Sequence, residues 1–389
     1  MSWGQLLLSE IKAVFSHKAL LLTVFGGVLF YSFLYPLPYK HQLPRDQKIV
    51  VVNFDKSGLS RKLIRMVDAT PQIDVTHSAD SISQAEKLIE ENGLAGLLVV
   101  PNHFYRDILL GKSPVLAYSG DASYFLVYST VVKGMVTAGE TLSAEIKINR
   151  MLSEGKSLVA AKKQYTSIGL NLRPVFNTIT GYINYVVPAV FVLILHQTLL
   201  IATGLLGGTQ NELSRTEKNA YWLHCSPLKL IFARSLIFLS IYLVIMLYYF
   251  GICFSYYDIS RLASPIELAQ LALPFLLSTT FLGIFIGQLL PRRELATILV
   301  LLSSLPIVFS AGFVWPVSML PAPLYWLSQF IPAVPGIQAF LQLNQMGADF
   351  IQIKQLWLQL WFQSSGYFLL AWWTVKNNPG LKRCECGER

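Results

Sequence analysis

The stretch ALLLTVFGGVLFYSFLY, Ala19–Tyr35, is followed by a long hydrophilic block from about Lys40 to about Arg173, not by a second apolar run. Apolar runs resume only after that block and then come close together: Tyr182–Leu206, Leu230–Phe254, Ile266–Leu290, Leu295–Val314 and Leu356–Val375. Each approaches the roughly 20 residues that a helix needs to cross a bilayer core. The layout predicts an α-helical polytopic membrane protein with six transmembrane helices and an inserted α/β domain. The first helix would deliver a folded domain to the far side of a membrane, and the other five would build the bilayer part. Hydrophobic residues make up 53% of the chain, more than one soluble core of this size would hide. Pro36, Pro38 and Tyr39 follow the first run where a cleaved leader would show small residues, so Ala19–Tyr35 reads as an uncleaved anchor.

Lys and Arg in the short connections set the orientation. Lys12, Lys18, Arg215, Lys218, Lys229, Arg292, Arg293, Lys376, Lys382, Arg383 and Arg389 fall on one side, against Arg261 and Lys354 on the other. Six crossings then place both termini in the cytoplasm and make the hydrophilic block external or periplasmic. The net charge of +9 is explained by this asymmetry and does not imply nucleic acid. The expected organisation is an interfacial amphipathic helix over 1–18, transmembrane helix 1 over 19–39, and a periplasmic α/β domain over 40–175. Helices 2–6 follow over 178–375, then a cytoplasmic tail over 376–389. Within 178–375, the connection 207–227 is the longest cytoplasmic one. The external segment 315–355 is too apolar for a solvated loop, and Pro316, Pro321, Pro323, Pro332 and Pro335 break it too often for a crossing, so it reads as short re-entrant helices.

The hydrophilic block alternates strand and helix signals. Strands are expected at Ile49–Phe54, Ile73–Thr76, Leu94–Val100 and Pro114–Tyr118. Helices are expected from a Ser60 cap to about Ala69, and at Ile82–Glu91, His103–Leu110 and Ser123–Leu152, with Gly93 and Gly111 as stops. No cysteine lies in this block, so no disulfide framework holds it; Cys384 and Cys386 in the tail lack a second ligand pair. Gly111-Lys112-Ser113 resembles the end of a phosphate loop, but Arg106 stands where that pattern needs glycine, and it reads as a turn. No two of the six histidines share a helix at metal-ligand spacing, and no nucleophile–base pair stands out. The apolar runs carry no central Asp, Glu, Lys or Arg, which argues against an ion-coupled carrier. Their polar residues include Asn184, His196 and Thr203 in the second run and Ser303 and Ser310 in the fifth, candidates for a translocation path or for helix–helix contacts.

Three stretches carry a family resemblance. Val51-Val52-Asn53-Phe54-Asp55-Lys56-Ser57-Gly58-Leu59-Ser60-Arg61 is the first. Val99-Val100-Pro101-Asn102-His103-Phe104-Tyr105-Arg106-Asp107-Ile108-Leu109-Leu110-Gly111 is the second, and Ser310-Ala311-Gly312-Phe313-Val314-Trp315-Pro316-Val317-Ser318-Met319-Leu320-Pro321 the third. In order and spacing the chain resembles the ABC-2 type permeases, specifically the multidrug-efflux-like branch with a large periplasmic domain after the first transmembrane helix. The resemblance implies an exporter permease without an ATPase of its own and with no cofactor in this chain, ATP and Mg being bound by a partner ABC ATP-binding subunit. It implies a second permease protomer, as homodimer or sister permease, surrounding membrane lipid, a periplasmic adaptor and hydrophobic or amphiphilic cargo. It also places ATPase coupling in the 207–227 connection, where Glu212, Arg215, Glu217 and Lys218 keep the charge of the family's coupling segment but not its pattern. The alternative is a membrane-anchored receptor or scaffold whose external domain binds a ligand or partner.

Overall fold

The computed structural model describes residues 2–39, 44–165, 175–177, 181–214 and 220–377. They fall into two compact units, Met1–Lys40 with Pro174–Arg389, and His41–Arg173.

The first unit opens with α1 (Trp3–Ser16), started by a reciprocal Ser2–Gln5 capping box. His17 breaks it, and its Nδ1 accepts from Leu20 N at 3.3 Å to start the next helix. That helix runs as α2 (Lys18–Leu21), a π-helical stretch Leu22–Gly27, and α3 (Val28–Leu34).

The second unit carries β1 (Gln47–Asn53), α4 (Gly58–Asp68), β2 (Ile73–Ala79), α5 (Ile82–Asn92), β3 (Gly96–Val100), α6 (Phe104–Leu109), β4 (Ala117–Gly120), α7 (Phe125–Ser153) and α8 (Leu158–Tyr165). Its sheet has the order β2-β1-β3-β4, with β1 parallel to β2 and β3, and β4 antiparallel to β3. Central β1 reads Ile49-Val50-Val51-Val52 and is buried on both faces, as parallel strands between helical layers are. Ile49 and Val51 pack with Leu63, Val67, Phe104 and Leu142 on the side of α4, α6 and α7. Val50 and Val52 pack with Ala85, Leu94 and Leu97 on the side of α5. Ser57, not Ser60, caps α4: its hydroxyl accepts from Ser60 N at 3.1 Å, while Ser60 is buried and bonded to Asn53.

The first unit resumes with α9 (Val186–Leu213), α10 (Pro227–Leu247), a π-helical stretch Tyr248–Cys253, α11 (Phe254–Tyr256), α12 (Pro265–Leu289), α13 (Glu294–Ser310), α14 (Ala322–Ser328), α15 (Ala333–Asn344) and α16 (Lys354–Lys376). Among the described residues, four helical segments are long and apolar enough to cross a membrane: Lys18–Tyr39, Val186–Leu213, Pro227–Tyr256 and Pro265–Leu289. Glu294–Ser310 is apolar but shorter. α16 is 23 residues long, yet Gln355, Gln359, Gln363 and Ser364 dilute it, and it is not among the four. Apolar on all sides, α9 is buried along nearly its whole length and forms the centre of the unit. Glycines let α12 approach it closely. A Cβ on Gly207 would lie 3.1 Å from the Gly287 backbone, one on Gly287 would lie 2.9 Å from the Gly204 carbonyl, and one on Gly283 would collide with the Thr203 hydroxyl. The proline-broken segment after α13 forms a 3-10 turn, Val317–Met319, then α14 and α15; most of α15 is buried in protein.

Candidate functional site

Two charges missed by the hydropathy pattern meet at one end of this helical unit. On α1, Leu6, Glu10 and Val14 recur at i+4 spacing and form the inward face; Glu10 is fully buried. Arg234 lies near the start of α10, behind the Ser226 cap and Pro227, and is 1% exposed. Arg234 is a charge inside the run Leu230–Phe254 but near its start, so the expectation of no central charge is not overturned by it. The pair is bidentate: Arg234 Nε donates to Glu10 Oε2 at 3.0 Å, and Nη2 donates to Glu10 Oε1 at 2.8 Å. Arg234 Nη2 also donates to Gln210 Oε1 on α9 at 2.7 Å. Tyr221, in the 3-10 turn Tyr221–His224, donates its hydroxyl to Glu10 Oε1 at 2.9 Å and accepts from Gln210 Nε2 at 3.2 Å. Burial first, and the Glu10 charge second, push the Tyr221 phenol well above its ordinary pKa, so it stays a donor. A buried ion pair persists only when its remaining hydrogen-bonding positions are also filled, and here neighbours fill them. Four segments are thereby tied together: α1, the end of α9, the turn after it, and the start of α10.

A second set of contacts surrounds the same end of α9. The helix runs on to Leu213, past the expected boundary at Leu206, so the first third of the 207–227 connection is helix rather than loop. Glu212 accepts from Arg293 N at 3.1 Å, just before α13, and its other oxygen is 3.8 Å from Arg293 Nε. Asn211 Nδ2 donates to the Gly287 and Gln288 carbonyls at 3.3 and 2.7 Å, near the end of α12. Thr209 and His17 Nε2 are 3.4 Å apart. Of the residues expected to couple to an ATPase, Glu212 thus already serves the α12–α13 turn. Arg215, Glu217 and Lys218 lie outside the described residues. Among the described residues no group of three or more His, Cys, Asp and Glu side chains stands close enough to hold a metal ion.

A family model described as "ABC-2 family transporter protein" matches residues 18–373. The chain belongs to the ABC-2 transporter family. It is accordingly a multi-pass membrane protein and a transport permease subunit, a component that works with an ABC ATP-binding subunit. No curated protein matches it.

In this ABC-2 permease the five polar residues singled out along the apolar runs have different surroundings. Thr203 is fully buried, donates to the Leu199 carbonyl of its own helix at 2.8 Å, and sits against Gly283, so it serves the α9–α12 contact. Ser303 and Ser310 bond back to Val300 and Pro306 of α13. The cross-helix tie lies one residue along from two of the candidates: Gln197 Nε2 donates to Ser304 Oγ at 2.8 Å, joining α9 to α13. His196 has no exposed surface and neither ring nitrogen has a hydrogen-bond partner; Asn184 Oδ1 is likewise buried and unpartnered. One local signal could have found Glu10, a carboxylate placed between Leu6 and Val14 on an apolar stripe. Its partner, more than two hundred residues away, left no local trace.

Proposed function

We propose that this chain is the membrane permease of an ATP-driven exporter, moving hydrophobic or amphiphilic compounds, drug-like or lipid-like, out across a bacterial inner membrane. In this reading α13 and α16 complete six crossings, both termini are cytoplasmic, and the sheet unit is periplasmic, where an adaptor would meet it. A second permease protomer, identical or a sister, completes the path. A separate ATPase docks at the cytoplasmic end of α9, around Glu212 and the adjoining Arg215, Glu217 and Lys218. The reading is carried by the Glu10–Arg234–Gln210–Tyr221 network. It fastens both sides of the 207–227 connection to α1 and α10, so a displacement of that connection pulls several helices together. Charged contacts at such a docking rim set register and association rate, while the buried pair supplies rigidity.

The test is purification of the chain after co-expression with a candidate ABC ATP-binding subunit, followed by reconstitution in liposomes. Stable association and cargo-stimulated ATP hydrolysis are expected. A chain that neither retains the subunit nor alters its turnover is a receptor or scaffold rather than an exporter permease.

A further inference from the structure

The sheet unit contains a cleft that the transport reading leaves unused. It lies between α7, α6 and the turn after α6, with a volume of about 230 Å³. Leu63, Phe104, Leu142 and Ile146 supply its apolar surface; Leu63, Phe104 and Leu142 are also members of the unit's core, so that wall is fixed. Lys112, Lys147 and Arg150 also line the cleft, Lys147 with its Nζ 5.8 Å from the centre of the Tyr165 ring, and no carboxylate lines it. Acidic residues of α7 are directed elsewhere: Glu145 pairs with Lys62, and Glu140 is not part of the lining. Among the described residues no carboxylate pairs with Lys112, Lys147 or Arg150.

Arg150 is held in place. Its Nη2 donates to the Ile108 carbonyl at 2.9 Å, and its Nη1 lies 3.4 Å from where a Cβ on Gly111 would stand. Gly111 has φ +78°, a conformation that turns the chain so that Lys112 and Ser113 enter the lining. The Gly111-Lys112-Ser113 turn, a poor match to a nucleotide loop, thus forms one side of the cleft. One donor of the Arg150 fork is used, which leaves others for a ligand.

We propose that this cleft binds a small amphipathic anion, its apolar body against Leu63, Phe104, Leu142 and Ile146 and its anionic head met by Lys112, Lys147 and Arg150. The size is adequate for a ring or a short acyl chain, since an apolar cavity of about 150 Å³ already accepts benzene. Charge complementarity excludes the cationic amphiphile of the same length. The inference concerns the sheet unit alone and stands or falls apart from ATP-driven export.

The experiment uses the full chain in lipid nanodiscs, with octanoate as the probe. Amine-reactive labelling is read residue by residue by peptide mass spectrometry, so partition of the probe into lipid does not enter the readout. Octanoate is expected to protect Lys112 and Lys147 in a saturable way while Lys56 and Lys87 of the same unit label normally. Octyltrimethylammonium should protect neither pair. Arg150→Gln should shift the octanoate midpoint about tenfold, the loss of one charge-assisted contact. Gly139→Leu tests the cavity itself: Gly139 lines the cleft, a Cβ there meets nothing within 4 Å, and leucine favours helix, so the variant folds while filling the space. It should abolish protection. Equal protection by both amphiphiles, no protection by octanoate, or unchanged protection in Gly139→Leu each overturns the proposal.

Discussion

Removing one member of the Glu10–Arg234 pair should be more damaging than removing both. Each side chain is 1% exposed, and the two share two hydrogen bonds at 2.8 and 3.0 Å. Arg234→Met leaves a buried carboxylate with only Tyr221 and Gln210 beside it, and Glu10→Leu leaves a buried guanidinium. Breaking a buried pair from one side costs about 3–5 kcal/mol. In the double variant no charge remains. The deficit is then limited to Tyr221 and Gln210, which still bond each other at 3.2 Å, and an unsatisfied buried polar group costs about 1–3 kcal/mol. The double variant should therefore be more stable than either single one, by about 2 kcal/mol at the middle of these ranges.

Thermal unfolding of the purified chain in detergent reads this directly. At roughly 2 °C per kcal/mol, each single variant should melt about 6–10 °C below the parent and the double variant about 2–6 °C below it. With the ATP-binding subunit present, the double variant should also lose cargo-stimulated turnover, because α1 and α10 are no longer locked to the end of α9. Additive losses, with the double variant melting lowest of all, would refute the fork and with it the rigid link on which coupling is argued.

The close α9–α12 crossing predicts that Gly287→Leu, whose side chain must enter space held by the Gly204 carbonyl, destabilises the helical unit by the ~1–3 kcal/mol typical of overpacking or more; Gly139→Leu, on α7 of the sheet unit where a Cβ meets nothing within 4 Å, should not lower the melting temperature of that unit. His196→Leu should leave the chain equally stable or raise its melting temperature, since both ring nitrogens are buried without partners; a fall would reveal a partner supplied by cargo or a second protomer. Glu212→Gln removes an anion from the start of α13 and should cost only about 0.3–1 kcal/mol, so weaker retention of the ATP-binding subunit in Glu212→Lys with Glu217→Lys, measured by pull-down, reports docking rather than unfolding. For orientation, a cysteine at Ser78 should label from outside intact cells and one at His224 should not; the reverse preference sinks the six-crossing topology.

Elements with local causes were legible in the sequence. The strand expected at Ile49–Phe54 forms as Gln47–Asn53, and the helix expected at Ile82–Glu91 forms as Ile82–Asn92, ended by Gly93 at φ +61°. A β-branched run and a left-handed stop act within a few residues, so pattern suffices. The strand expected at Pro114–Tyr118 instead forms at Ala117–Gly120, because pairing with β3 sets it: Tyr118 stands opposite Leu98 and Gly120 opposite Gly96. The contacts at the end of α9 were not legible in the sequence. Charge in 207–227 was visible, but that Glu212 bonds Arg293, and that Gln210 with Tyr221 serve a pair whose members sit on α1 and α10, are tertiary facts. The glycines at 204, 207, 283 and 287 are visible in the sequence, yet which helix faces which is a tertiary fact.

The helical unit is fastened differently at its two ends, and that difference bears on how it can move. Around the last two turns of α9 the ties are charge-assisted, bidentate or made to backbone caps, and they join α1, α10 and the α12–α13 turn. Glycine packing extends this rigid zone along α12. Further along α10 the contacts change in kind. The π-helical stretch Tyr248–Cys253 and Tyr257, just after α11, face the α3 segment through single hydroxyls: Tyr249 donates to the Val28 carbonyl at 2.9 Å, Tyr257 to the Ser32 carbonyl at 3.0 Å, and Tyr248 meets the Ser32 hydroxyl at 2.9 Å. A π-helical turn carries an extra residue and loosens the regular ladder, which is why such turns collect where helices must adjust. Single neutral hydrogen bonds, each worth about 1 kcal/mol, are exchanged far more readily than a buried ion fork. A force applied at the end of α9 would therefore reach α1, α10 and α12 through the stiffer contacts, and the α10–α3 contact is the softer place at which it would be relieved.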